Sequence, residues 1–157
     1  MGAQLTEYKL HIPSRAENLE LIRNFVSGVA RKVGFNTEDI NKIELALDEA
    51  CTNVIEHAYR DSEGDIDIAI KVDYQKFTLV VTDKGRSFPF KELEMPDMKQ
   101  YIAELRVGGL GIYLMKTLMD EVEYHSQPGV KNEVQMVKYL LQKDTKQGAA
   151  ANPAEKK

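Results

Sequence analysis

The stretch 43–60, IELALDEACTNVIEHAYR, limits the fold of this chain more than any other. Wound as a helix at about 100° per residue, it gathers Ile40, Ile43, Ala46, Leu47, Ala50, Cys51, Val54 and Ala58 on one broad apolar arc that has to be buried. Glu49, Asn53 and His57 fall at i, i+4 and i+8 on the border of that arc, an axial row of carboxylate, amide and imidazole. Acids and amides are common on wet helix margins, so the row alone reads equally well as a solvated edge. The surface that buries the arc is encoded next. Asp65 to Tyr74 alternates strictly, with Ile66, Ile68, Ile70, Val72 and Tyr74 on one face and mostly charged residues on the other. A second run, Lys76 to Asp83, follows a tight turn, and the two form a hairpin with one face on helices and one to water.

Around this pair the order is regular. Residues 4–12 carry Tyr8, Leu10 and Ile12 in alternation, a first strand that Pro13 ends. Ser14 followed by Glu17 reads as a capping box, opening a helix in which Leu19, Ile22, Phe25, Val26, Val29, Ala30 and Val33 repeat up to Gly34. Thr37 with Glu38 and Asp39 is the start signal of the central helix, which runs to about Arg60. Ile112 to about Glu121 reads as a third helix with Leu114, Met115, Leu118 and Met119 inward. Val122–Ser126 and Glu133–Leu141 read as two more strands joined over Pro128-Gly129. The fold class expected is α+β: a two-layer sandwich with a mixed, mostly antiparallel sheet covered on one face by helices.

With 157 residues, 43% of them hydrophobic, residues 1–142 suffice for one domain with a real core, and the charged, Ala/Gly/Pro-containing residues 143–157 read as a disordered tail. A net charge of −4 with no basic stretch speaks against a nucleic-acid or anionic-membrane surface. No run of about 18 apolar residues and no export signal is present, so a soluble, cytoplasmic protein is expected. Met1-Gly2 opens a stretch that alternates like a strand, which argues against acylation. Cys51 is the one cysteine, which excludes an intrachain disulfide and, without clustered histidines, speaks against a cysteine-based metal site.

Two further stretches carry chemistry. Gly108, Gly109 and Gly111 stand at a loop-to-helix junction, where open backbone N–H groups and the helix dipole favour phosphate, with Arg106 as a nearby cation. A flexible turn at a helix start fits the same glycines. Asp83 ends a strand with Gly85 two residues on. Such an aspartate can accept from an exocyclic amine while the glycine lets backbone approach a flat ring, or it can simply close an Asx turn. Residues 84–108, with Pro89 and Pro96, form a connection long enough to be a functional lid or disordered. His57 and His125 are too isolated for a metal site, and His57 is given no catalytic role.

Taken in this order, Glu49-Ala-Cys-Thr-Asn53-Val-Ile-Glu-His-Ala-Tyr59, Asp83-x-Gly85 and Gly108-Gly-Leu-Gly-Ile-Tyr-Leu-Met115 resemble the GHKL (histidine kinase-like) ATPase superfamily, whose ATP-binding fold is the Bergerat fold. The resemblance covers roughly residues 4–141 and lies nearest to the bacterial anti-sigma factor serine/threonine kinases. It implies Glu49 as general base and Asn53 as the ligand of Mg2+. It implies Asp83 as the acceptor of the adenine amine, Gly85 beneath the base, and Gly108, Gly109 and Gly111 as the phosphate-facing loop, with Arg106 a softer match. Two positions depart from the superfamily pattern: Ser87 replaces a second glycine, and Asn132-Glu133 stands where many members have Gly-Thr, which puts a hydroxyl contact to phosphate in doubt.

The resemblance implies an ATP-dependent kinase that phosphorylates a serine or threonine of an anti-anti-sigma antagonist and sequesters a sigma factor, a partner switch. The competing expectation is a non-catalytic module in which ATP only orders the lid and so controls which protein is held. A sensor histidine kinase fragment would need a phosphoacceptor helix ahead of the first strand. The small size and the open sheet face allow a homodimer.

Overall fold

Five strands form the sheet, and the computed structural model describes them within residues 5–59, 63–86 and 109–140. In chain order they are β1 (Thr6–Pro13), β2 (Asp65–Val72), β3 (Lys76–Asp83), β4 (Glu121–Gln127) and β5 (Lys131–Tyr139), arranged β1-β2-β3-β5-β4. Every described pairing is antiparallel, and three helices, α1 (Leu19–Val33), α2 (Thr37–Asn53) and α3 (Gly109–Leu118), pack over one face. The expected α+β sandwich is present.

The register explains the core. Ile12, Ile66, Ile68, Ile70, Phe77, Leu79, Val81, Met136 and Tyr124 alternate onto one face and are buried there against Ile22, Val26, Val29 and Ala30 of α1. The apolar arc of α2 completes it: Ile40, Ile43, Ala46, Leu47, Ala50 and Cys51 are all buried. Burying such side chains contributes roughly 1.5–3 kcal/mol each for the larger ones, which is why period 3.6 facing period 2 decides this architecture. Cys51 lies at the centre of that interior, and burial pushes its thiol up to about 12, so it packs as an inert apolar group.

Several local expectations change. The capping box does not form: Ser14 donates its backbone N–H to Gly64 O (2.9 Å), so it extends the β1–β2 pairing, and among the described residues its buried Oγ has no hydrogen-bond partner. A short 3-10 turn, Ala16–Asn18, leads into α1 instead, with Asn18 Nδ2 donating to Pro13 O. The start of α2 is capped one residue earlier than expected, by Asn36, whose side chain accepts from Asp39 N (2.8 Å). Tyr74 does not reach the core. Asp73 accepts from Gln75 N and Lys76 N, closing the hairpin turn before Tyr74, which is 63% exposed.

On the far face of the sheet the edges are charged as expected, but Thr78, Val80 and Val137 at its centre are buried. α3 starts at Gly109, so Gly109 and Gly111 lie inside its first turn rather than ahead of it. It packs against α2, buries Met115 and Met119 beside it, and ends where Lys138 Nζ donates to Leu118 O (2.9 Å). A cation at the negative end of a helix dipole is a favourable placement. Gly108, Arg106, Ser87, the remainder of the 84–108 connection and the 143–157 tail lie outside the described residues.

Candidate nucleotide site

The regular winding of α2 stops at Asn53, and Val54–Ala58 forms a single π-helical turn. The expected axial row therefore ends at Asn53, and His57 belongs to the widened turn. Wide turns of this kind occur frequently at functional sites. This one delivers two acceptors to the end of β3: Ala58 O takes the N–H of Arg86 (2.8 Å), and the Tyr59 hydroxyl takes the N–H of Lys84 (2.9 Å) while donating to Asp65 O (2.9 Å).

Gly85 is pressed against this turn. A Cβ there would lie 2.6 Å from the Ala58 carbonyl carbon, so only glycine fits. The close approach that the residue permits is thus to helix backbone. Its N–H donates to Asp83 Oδ1 (2.8 Å), the Asx bond that a strand-ending aspartate makes. Asn132, in register across from Asp83 on β5 and 3% exposed, donates from Nδ2 to the same Oδ1 (2.9 Å) and to the carbonyls of Gly85 (2.9 Å) and Arg86 (3.1 Å). Nothing local in the sequence marks Asn132, because its partner is 49 residues away; only the strand register brings them together.

Asp83, Arg86, Asn53, Ala50, Val54, Ala58, Tyr124 and Val134 line a pocket between α2 and the sheet, with a free volume of about 30 Å³. That is far below the ~300–1,000 Å³ of ordinary ligand sites, so the pocket as it stands is too small for a nucleotide base. The pocket's character suits a flat heteroaromatic ring: apolar walls with one buried carboxylate. Burial pushes the carboxyl of Asp83 above the ordinary carboxylate range, and the donors from Asn132 and Gly85 pull it back. Among the described residues nothing occupies its Oδ2, which leaves that oxygen for a ligand.

Glu49 stands one turn before Asn53 on the same helix, half-buried. Burial raises its carboxyl above the usual range, and the negative charges of Asp48 and Glu56 raise it further. Asp48 is itself held by Arg23 Nε (3.2 Å), and Ser27 donates to Glu44, so the acids on the α1 side of α2 are spoken for. Glu49 and Asn53 have no hydrogen-bonding partner among the described residues. A carboxyl raised above its ordinary range and an unengaged amide oxygen are groups that a phosphoryl-transfer site can use.

The structure thus brings Glu49, Asn53, Asp83 and Gly85 to one end of α2, with Gly109 and Gly111 at the start of the helix that packs beside it. Among the described residues no three His, Cys, Asp or Glu side chains cluster to hold a metal ion, and no helix is long and apolar enough to cross a membrane.

Residues 12–138 match the model of the histidine kinase-like ATPase domain. The serine-protein kinase RsbW of Bacillus velezensis is 37% identical over 146 residues, covering 89% of each chain, and that of Bacillus subtilis is 38% identical, covering 84% of each. A chain of the SiaB-SiaC complex from Pseudomonas aeruginosa superposes with a TM-score of 0.54 at 10% identity, covering 85% of this chain and 89% of that one, a likeness of fold. The chain belongs to the histidine kinase-like ATPase family of nucleotide-binding domains, in the branch of the RsbW serine-protein kinases.

Proposed function

We propose that the protein is an ATP-dependent anti-sigma factor that phosphorylates a serine or threonine of an antagonist protein and sequesters a sigma factor when the antagonist does not compete. The observation that carries this reading is the site on α2: a buried Asp83 with one oxygen held and one available, on the same pocket as Asn53, one helical turn from an unengaged Glu49. The likeness to the RsbW serine-protein kinases over most of both chains supports the choice of a protein hydroxyl as acceptor.

In this reading Asp83 Oδ2 accepts from the exocyclic amine of adenine, and Ala50, Val54 and Val134 exclude water from the ring. Gly109 and Gly111, at the positive end of α3, supply backbone N–H groups to the phosphates, and the family resemblance adds Gly108 and Arg106 to that role. Asn53 fits a magnesium ion as one oxygen ligand, since that ion keeps several waters and takes its other ligands from substrate phosphates. When bound, magnesium supplies charge neutralisation at the transferring phosphoryl group. Glu49 accepts the proton of the incoming hydroxyl, a task for which its raised carboxyl is suited. A cytoplasmic setting follows from partners of this kind, and residues 1–142 act as one domain.

Transfer of radiolabel from ATP to a co-purified antagonist, run beside a sigma-factor binding assay, tests the proposal. Label on a serine or threonine of the antagonist is expected. A chain that binds both proteins and transfers nothing would be the non-catalytic switch instead.

A further inference from the structure

Asn132 faces three acceptors. Asp83 Oδ1, Gly85 O and Arg86 O all surround its Nδ2, whereas its Oδ1 accepts from Ser126 Oγ (2.8 Å). A carboxylate and two carbonyls can only accept, so the nitrogen must face them and the amide has one allowed orientation. Its two hydrogens are shared among three acceptors, and turning it away would orphan buried oxygens. The carboxylate of Asp83 is fixed in consequence, since Oδ1 takes both Asn132 and the Gly85 N–H. The terminal torsion of an aspartate is otherwise broad.

We infer that Asn132 is the positioning residue for base recognition: by holding Oδ1 it aims Asp83 Oδ2 at the exocyclic amine and so sets a preference for 6-amino over 6-oxo purine nucleotides. The inference rests on the reading of Asp83 as the base acceptor. It assigns Asn132 to the base end of the site, in place of the phosphate contact that its position in the final hairpin left in doubt. Ser126 acts one step further back, because its hydroxyl fills the oxygen end of the amide.

The test compares ATP with inosine triphosphate, whose 6-oxo group would set acceptor against acceptor at Oδ2. Calorimetry on the full chain gives both affinities for wild type, Asn132→Ala, Ser126→Ala and Asp83→Ala. For Asn132→Ala, ATP affinity is expected to fall about tenfold and inosine triphosphate affinity little, so that the ratio of the two falls about tenfold. Ser126→Ala should lower the same ratio by about two- to threefold. A variant that only reduces the folded fraction scales both nucleotides together and leaves the ratio alone, and should Asn132→Ala not fold, the Ser126→Ala ratio decides. An unchanged ratio in these two variants with a collapsed one in Asp83→Ala overturns the inference while leaving the base reading intact. An unchanged ratio in Asp83→Ala removes the base reading and the inference with it.

Discussion

At the base end of the site, the N–H groups of Lys84, Gly85 and Arg86 are each held, by the Tyr59 hydroxyl, Asp83 Oδ1 and Ala58 O, and the last two carbonyls are tied to Asn132. At the other end, Glu49 and Asn53 stand on the same helix with no hydrogen-bonding partner among the described residues. The first region is finished by internal bonds; in the proposed mechanism the second is left for magnesium and the incoming hydroxyl. Recognition by a single carboxylate needs a fixed acceptor, because a carboxylate free to turn would meet water as readily as an amine. A proton acceptor and a metal ligand have to be unengaged, because an internal partner would compete for the same lone pairs.

The comparison breaks first at Glu49. Glu49→Gln keeps size and hydrogen bonding but cannot take a proton, so label transfer to the antagonist should fall by about 10²–10⁴-fold while ATP affinity stays within a factor of about two. Equal transfer by the two proteins would return Glu49 to a wet helix margin. The base end predicts the opposite division. Asp83→Ala should weaken ATP binding by about ten- to a hundredfold, the worth of a bond to a charged acceptor, measured by calorimetry, with transfer at saturating ATP largely kept. Unaltered affinity would mean that the pocket binds something other than the base.

How far these regions were legible in sequence follows the same division. Glu49 and Asn53 sit on the border of an arc whose members from Ile40 to Val54 are all buried, so periodicity alone placed them at the edge of the core. Asp83 was legible as a strand end because the alternation of β2, the tight turn after it and the apolar run of β3 together mark out the hairpin. The holding parts were not. The π-turn brings Ala58 and Tyr59 to the end of β3, 25 or more residues on, and the Asn132 contact depends on register between strands far apart in sequence. Ser14 misled for the same reason: its N–H is drawn to Gly64, a tertiary demand that outweighs a local capping pattern. Arg106 and Gly108 lie outside the described residues, so their assignment stays with the family resemblance.

Rigidity of the base end can be probed without touching a polar atom. Gly85→Ala would set a methyl group against the carbonyl of Ala58, backbone that cannot swing aside, and should cost about 1–3 kcal/mol in denaturant unfolding, with weaker ATP binding. Gly28→Ala on the exposed side of α1 meets nothing within 4 Å and should stabilise by about 0.5–1 kcal/mol, leaving ATP affinity as it was. If both substitutions behave alike, the contact between Gly85 and the π-turn is not what holds the end of β3.

The smallest effect concerns pH. Asp83 and Glu49 are both raised by burial, yet donors from Asn132 and Gly85 oppose the rise at Asp83, whereas Asp48 and Glu56 add to it at Glu49. A carboxyl raised in the folded protein is better tolerated protonated than ionised. Its favourable contribution to stability is therefore complete below the unfolded value and is lost as pH climbs through the folded one. Glu49→Gln removes that loss, so the variant should melt above wild type near about pH 7, and the gap should close as pH falls below the ordinary carboxylate range, about pH 4. In the proposed mechanism the same ionisation acts on catalysis with the opposite sense, since a general base at Glu49 has to be deprotonated, and the acid limb of wild-type transfer should then lie above the ordinary glutamate value. Melting curves of the two proteins across that range, beside the pH profile of transfer, read both consequences of one carboxyl. A gap that widens on acidification would mean that Glu49 is stabilised as an anion by a partner, and would make its end of α2 as finished as the other.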